Sequence, residues 1–219
     1  MCLVCDYEQN NKSLEGISFL DCQECKVVKS IPYLENLQKL DCFGCTSLVH
    51  IPNLPNLLWL RLTGCVNLQR IPELSILEYL CCAKCVSLKT LPEFPKLQTL
   101  YCGGCTNLQT ISELSTLQFL HCVKCVSLKT LPEFHQLHTL WCDDCTIQSL
   151  PNLPRLERLS CEGCKHLQSL PEFANLQKLS CANTPLQKIS SLLCLKELLY
   201  RLYKSTKPIK SSKVTNIKV

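Results

Sequence analysis

Residues 37–56 read LQKLDCFGCTSLVHIPNLPN, and the next twenty, from Leu57, read LLWLRLTGCVNLQRIPELSI in the same phase. The frame also fits ISFLDCQECKVVKSIPYLEN from Ile17, LEYLCCAKCVSLKTLPEFPK from Leu77 and LQTLYCGGCTNLQTISELST from Leu97. Further copies begin at Leu117, Leu137, Leu156 and Leu176, and a tenth starts at Leu195 and decays after Leu198. The consensus is LxxLxCxxCxxLxxLPxLxx, and self-similarity at a fixed period of 20 decides the architecture before any single element is assigned. The segment CVSLKTLPEF occurs unchanged at 85–94 and 125–134, as a two-repeat duplication would leave it.

Each position of the repeat has a physical reading. LxxLxC alternates as a short strand does, with slots 4 and 6 turned one way and slots 3 and 5 the other. Strands of successive repeats then stack into a parallel sheet. The second half leaves no room for a full helix, and proline at slot 16 fixes φ and removes an N–H, which suits an extended or polyproline-like return leg. Slots 1, 4, 6, 9, 12, 15 and 18 are apolar and face inward. One repeat cannot bury such a face, whereas a stack covers it turn by turn. The frame divides the chain into a partial repeat or cap at 1–16, nine repeats over 17–194 (17–36, 37–56, 57–76, 77–96, 97–116, 117–136, 137–155, 156–175, 176–194), a cap at 195–204 and a basic tail at 205–219.

This pattern resembles the leucine-rich-repeat family over roughly residues 17–198. The spacing from the slot 9 cysteine to leucine, as in Cys45 to Leu48, is similar to the cysteine-containing repeats of plant disease-resistance receptors and F-box-associated proteins. The repeats from Leu137 and Leu176 are 19 long and shorten that step (Cys145 to Ile147, Thr184 to Leu186), as ordinary repeats do. The short length with LPxL or LPxF is similar to bacterial-effector and giant-virus repeats. The resemblance implies a curved, right-handed β-rich superhelix with the parallel sheet on its concave face and extended convex segments. It implies no particular ligand.

A hydrophobic share of 46% places the chain among core-forming sequences. The N-terminus shows no basic stretch followed by an apolar one, so no secretory signal is readable and an intracellular, cytoplasmic location is expected. No run long enough to cross a membrane occurs, so no membrane insertion is expected. The formal net charge of +5 is uneven: seven Lys/Arg and one acid lie from Lys196 onward, and the repeats before it are close to neutral.

Twenty cysteines include eight C-x-x-C pairs, at 2/5, 22/25, 42/45, 82/85, 102/105, 122/125, 142/145 and 161/164. Two neighbouring pairs could in principle supply a four-thiolate zinc site. The packing reading is preferred, because Leu62 replaces the slot 6 thiol, Thr184 replaces the slot 9 thiol, and the pairs recur at every turn. Slot 6 is then a small core residue, and slot 9 caps the strand where asparagine would otherwise bond the backbone of a neighbouring turn. Neither a metal, a cofactor nor a disulfide framework is expected. Cys81 alone departs from the frame, in outward slot 5.

Outward slots 3 and 5, with slots 7 and 8, tile the expected concave face. Slot 3 carries Phe19, Lys39, Trp59, Tyr79, Thr99, Phe119, Thr139, Arg158 and Lys178. Slot 5 carries Asp21, Asp41, Arg61, Cys81, Tyr101, His121, Trp141, Ser160 and Ser180, with Phe43 at slot 7. Trp, Tyr and Arg dominate interface energetics, so Phe19, Asp21, Lys39, Asp41, Phe43, Trp59, Arg61, Tyr79, Tyr101, Phe119, His121, Trp141 and Arg158 form the candidate partner-binding set. The competing reading is that these rings only cover the sheet and pack on one another. Phe94, Phe134 and Phe173, at slot 18, belong to the core.

At the ends, Glu8, Asn11 and Leu14 suggest a makeshift N-terminal cap, and KELLYRLYK suggests one or two helical turns with Leu198, Leu199 and Leu202 as its buried stripe. STKPIKSSKVTNIKV reads as disordered and is the only candidate contact for nucleic acid. No nucleophile–base arrangement, phosphate loop or paired carboxylates stand out, and no small-molecule substrate is implied. The expected function is noncatalytic binding of a protein partner. The alternatives are a substrate-recognition subunit or effector serving a separate ubiquitin-ligase-type enzyme, and a zinc-binding cysteine array.

Overall fold

The computed structural model describes residues 4–5, 14–186, 196–199 and 216–218. Its strands, in chain order, are β1 (Phe19–Asp21), β2 (Lys39–Asp41), β3 (Trp59–Arg61), β4 (Tyr79–Cys81), β5 (Thr90–Leu91), β6 (Thr99–Tyr101), β7 (Thr110–Ile111), β8 (Phe119–His121), β9 (Thr139–Trp141), β10 (Arg158–Ser160), β11 (Lys178–Ser180), β12 (Glu197–Leu199) and β13 (Asn216–Lys218). All but β5 and β7 form one parallel sheet in the order β1-β2-β3-β4-β6-β8-β9-β10-β11-β12-β13. The chain is therefore a β-solenoid, one sheet strand per repeat. The return legs hold little regular structure: β5 pairs with β7, Ser30 bridges His50, and no helix occurs between residues 14 and 186.

The slot assignments translate directly into burial. Leu20, Leu40, Leu60, Leu80, Leu100, Leu120 and Leu140, all at slot 4, are wholly buried, as are the slot 18 rings Phe94 and Phe134. The core is one continuous cluster along the stack, as expected when each turn covers its neighbours. The first described turn joins it through Val4, Cys5 and Leu14, all buried. Glu8 and Asn11, the polar residues of the expected N-terminal cap, lie outside the described residues.

Turn-to-turn hydrogen bonding explains why cysteine recurs at slot 9. In every described repeat but the one from Leu137, the carbonyl of the slot 6 residue accepts the slot 9 N–H of its own turn, as in Cys45 N–H to Cys42 O at 3.1 Å. The same carbonyl accepts the slot 9 thiol of the next turn. Cys45 donates to Cys22 O at 2.8 Å, Cys65 to Cys42 O at 3.1 Å, Cys105 to Cys82 O at 3.0 Å, Cys125 to Cys102 O at 3.1 Å and Cys145 to Cys122 O at 2.9 Å. Both lone pairs of a buried carbonyl are thus satisfied. Two substitutions show which groups matter. Cys85 bonds the carbonyl of Leu62 at 3.0 Å, so slot 6 needs only an apolar side chain, and Thr184 donates its hydroxyl to Cys161 O at 2.6 Å, so slot 9 needs a compact donor.

Polar residues on the surface repeat the device. Asn67 and Asn107 bond the carbonyls of Thr46 and Val86, and Asn56 and Asn175 bond those of Glu35 and Pro154, each one turn back. Slot 8 imposes a left-handed backbone at every turn: φ is 79° at Gly64 and 75° at Gly104, and Lys84 and Lys124 adopt 59° and 61° without the freedom glycine has. Gly44, Gly64, Gly104 and Gly163 at this slot therefore serve backbone conformation.

Two expectations fail at the C-terminal end. Residues 197–199 form β12, with Leu198 beside Leu179, where helical turns were expected, and 216–218 form β13 within the tail read as disordered. Leu195 and Leu198 keep slots 1 and 4, and an open sheet edge offers pairing at every residue, whereas a helix of one or two turns is marginal by itself. Leu202 and the rest of 200–215 lie outside the described residues.

The thiol ladder has a direct test. Cys105→Thr keeps a donor of the kind Thr184 supplies, whereas Cys105→Val keeps the shape and loses the bond to Cys82 O. Urea unfolding of the reduced protein is expected to find the valine variant less stable by about 1 kcal/mol. Equal stabilities would show that the sulfur only fills space.

Candidate functional site

Register places the outward residues in two straight rows across the strands. Along slot 3 the partners run Lys39, Trp59, Tyr79, Thr99, Phe119, Thr139, Arg158, Lys178. Along slot 5 they run Asp41, Arg61, Cys81, Tyr101, His121, Trp141, Ser160, Ser180. Parallel strands about 4.8 Å apart bring such side chains within stacking range.

The rings fuse into one column. Trp59 stacks on Tyr79 with centroids 5.3 Å apart and planes 8° from parallel. Tyr79 meets Tyr101 at 5.9 Å, and Tyr101 meets both Phe119 at 5.0 Å and His121 at 5.7 Å. Trp141 closes the column with its edge contacts to Phe119 and His121 at 5.2 and 5.6 Å. Thr99 and Thr139 are small, which leaves room for the column to cross from slot 3 to slot 5. Most rings are half-buried by this contact, while Trp141 remains 42% exposed. Packing and outward display therefore coexist in the same side chains. His121 also depends on Gly103, since a Cβ there would stand 2.7 Å from its Cε1 atom; its Nδ1 is buried without a hydrogen-bond partner.

The other candidate residues divide by environment. Phe19 and Lys39 are exposed on β1 and β2. Asp21 is exposed, and its carboxylate accepts the Gln23 N–H at 2.9 Å. Asp41, read from the sequence as an outward contact residue, is instead buried. It accepts the Phe43 N–H at 2.9 Å and pairs with Arg61 Nη1 at 3.3 Å, while the Arg61 guanidinium lies 4.6 Å over the Phe43 ring. The covering groups come from slot 7 of its own turn and slot 5 of the next, and Asp41 holds Arg61 in place.

Beyond Trp141 the face becomes polar. Trp141, Arg158, Leu159, Ser160, Lys178, Leu179 and Ser180 line an open recess of about 330 Å³. Ser160 donates to Asp143 at 2.6 Å, Ser180 donates to Glu162, and the Glu162 N–H donates to Asp143 at 2.8 Å. Burial raises the Asp143 carboxyl above its ordinary range, against the hydrogen bonds from Ser160 and Glu162.

The thiols lie mostly beneath this face. Contact with the Cys105 thiol, then burial, holds Cys82 well above the usual thiol range; burial does the same for Cys161 and pushes Cys181 up to about 12. Such thiols stay protonated and unreactive. Among the described residues no three His, Cys, Asp or Glu side chains converge as a metal site requires, and no helix is long and apolar enough to cross a membrane. Cys81 is half-buried, with its sulfur 3.1 Å from Thr63 Oγ1.

Two measurements follow. Of the eighteen described thiols only Cys25 and Cys81 are partly exposed, so brief alkylation of the native protein followed by peptide mapping is expected to mark these two and spare the other sixteen until denaturation. Rapid marking of Cys105 or Cys125 would contradict the buried ladder. Burial, then the neighbouring Cys81, raises the Tyr79 hydroxyl to about 12. The unfolded group ionises near 10, so the stability that Tyr79 contributes is complete below about pH 10 and lost as pH rises towards the folded value. Tyr79→Phe is expected to flatten the alkaline fall in melting temperature and to remove a phenol that titrates near 12 by ultraviolet absorbance. An unchanged pH profile would contradict this.

No protein-family model matches the chain, and no curated protein matches it. Among solved structures, a leucine-rich repeat protein from Bacteroides ovatus ATCC 8483 is similar over 90% of this chain, with a TM-score of 0.54 at 17% identity. The similarity spans 62% of that protein's own length. An LRR protein of Leptospira interrogans aligns over 100% of this chain and 87% of its own, at 16% identity and a TM-score of 0.23. The fold of this chain is the leucine-rich-repeat fold.

Proposed function

We propose that this chain is a noncatalytic binding module that holds a protein partner against the outward face of its sheet. The observation that carries this reading is the continuous column from Trp59 to Trp141, five aromatic rings and an imidazole across five adjacent strands. Rings already fixed by one another lose little rotamer freedom when a partner arrives, and tryptophan and tyrosine yield the most binding energy per residue. Phe19 and Lys39 extend the surface on one side, and Arg158 extends it on the other. A reducing, intracellular setting fits the thiol ladder, which works only while slot 9 sulfurs keep their protons.

The test is affinity capture by the full chain and by a Trp59→Ala, Trp141→Ala variant, with Glu73→Ala, Glu113→Ala on the return legs as control. Each ring contact contributes on the order of 0.5–1.5 kcal/mol, so the tryptophan variant is expected to melt somewhat lower and still fold. Capture of the partner is expected to disappear with the tryptophan variant and persist with the control. A partner retained by the folded tryptophan variant would overturn the sheet-face reading.

A further inference from the structure

Among the described residues the thiol-to-carbonyl ladder runs from Cys45 to Thr184. One turn before Cys45, the slot 9 thiols make a different contact: the Cys25 sulfur lies 3.4 Å from the sulfur of Cys5, twenty residues back. The environment differs as well. Cys65, Cys85, Cys105 and Cys125 are wholly buried and direct their protons to backbone carbonyls at 3.0–3.1 Å. Cys25 is partly exposed, on the wall of an open recess of about 480 Å³ that it shares with Cys5, Asp21 and Glu24.

A disulfide bond is about 2.05 Å long and joins residues whose Cα atoms are roughly 4.4–6.8 Å apart. Equivalent positions on neighbouring turns of a parallel stack, about 4.8 Å apart, fall inside that range. The two sulfurs therefore need to close by little more than an ångström, a change that side-chain rotation supplies. Access to the pair is asymmetric. A dissolved reagent entering the recess meets the Cys25 sulfur, whereas Cys5 is 1% exposed and stands behind it at contact distance. Thiol–disulfide exchange uses one accessible sulfur to meet the reagent and one neighbouring sulfur to resolve the intermediate.

We propose that Cys5 and Cys25 form a reversible disulfide that staples their two turns together, with a low-molecular-weight disulfide, RSSR, as the oxidant. The Cys25 thiol gives up its proton and attacks one sulfur of RSSR; a Cys25–SR bond forms, the bond between the two RS groups breaks, and the departing RS⁻ takes up a proton. Cys5, deprotonated in turn, attacks the Cys25 sulfur. The Cys5–Cys25 bond forms, the bond from Cys25 to the RS group breaks, and a second RSH leaves. Two protein thiols are thereby oxidised by two electrons, and one RSSR is reduced to two RSH. The link closes a loop of twenty residues, which restricts the opened chain and holds the turn of Val4, Cys5 and Leu14 on its neighbour. Every bond of the ladder from Cys45 onward is left in place.

The test incubates the reduced full chain with glutathione disulfide under native conditions, quenches with acid, alkylates the remaining thiols and maps the digest without reduction. A peptide pair joined through Cys5 and Cys25 is expected, and Cys81→Ser is expected to form it as readily. Cys5→Ala is expected to stop after the first exchange and keep glutathione on Cys25, whereas Cys25→Ser forms neither product. The oxidised chain is expected to melt several degrees above the reduced one, a difference removed by dithiothreitol and absent from Cys25→Ser. Cys25 joined to any cysteine other than Cys5, or a lasting glutathione adduct on Cys25 of the unsubstituted chain in place of the link, overturns the proposal. A link that forms only in urea, or equal melting of the linked and reduced chains, overturns it as well.

Discussion

Everything on the outer surface depends on a bond the surface does not show, the donation from each slot 9 side chain to the slot 6 carbonyl one turn back. A solenoid turn has to leave its strand, reverse and return, and the carbonyl at the strand's end is buried at that reversal. A buried acceptor left half-satisfied costs free energy at every turn, and the cost would accumulate along the stack. The slot 9 donor removes it and fixes the phase of one turn on the next. From Cys45 to Thr184 the donor is present without interruption. Fixed phase is what aligns slots 3 and 5 into rows, and aligned rows are what allow rings on different strands to stack.

The aromatic residues illustrate why packing and outward display need not be alternatives. On a parallel sheet in register, large side chains at equivalent slots stand one strand spacing apart, close to the thickness and width at which rings contact one another. Contact follows from geometry. The consequence is a surface whose groups are held in place by one another. The small residues Thr99 and Thr139 matter here as much as the rings, because they let the column shift between rows without a gap.

The fold was legible from the chain because its information is periodic: inward slots recur at fixed intervals, and alternation alone separates Leu60 from Trp59. What the sequence did not yield depends on contacts between turns. Asp41 occupies the same slot as exposed Asp21, and its burial arises from Arg61 one turn later lying over Phe43. Gly103 is required by the ring of His121, again a turn away. The left-handed slot 8 was hidden because lysine, aspartate and asparagine occupy it as well as glycine. The strand at 197–199 was missed because KELLYRLYK has helical periodicity, and the open edge of β11 outweighs it.

The two shortened repeats show how the architecture separates its face from its return side. The repeat from Leu137 lacks one residue between slots 9 and 12, yet Thr139, Leu140 and Trp141 remain in register with Arg158, Leu159 and Ser160. Cys164 still reaches Cys142 O, now 22 residues back instead of 23. Thr146 bonds the carbonyls of Val126 and Leu128, taking over the role that Asn67 and Asn107 play in longer turns. The deletion is thus absorbed after the ladder and before the next strand. Changes of length are confined to the return leg, and changes of side chain at slots 3 and 5 leave the core untouched. A chain built this way can alter its outward face without altering how it folds.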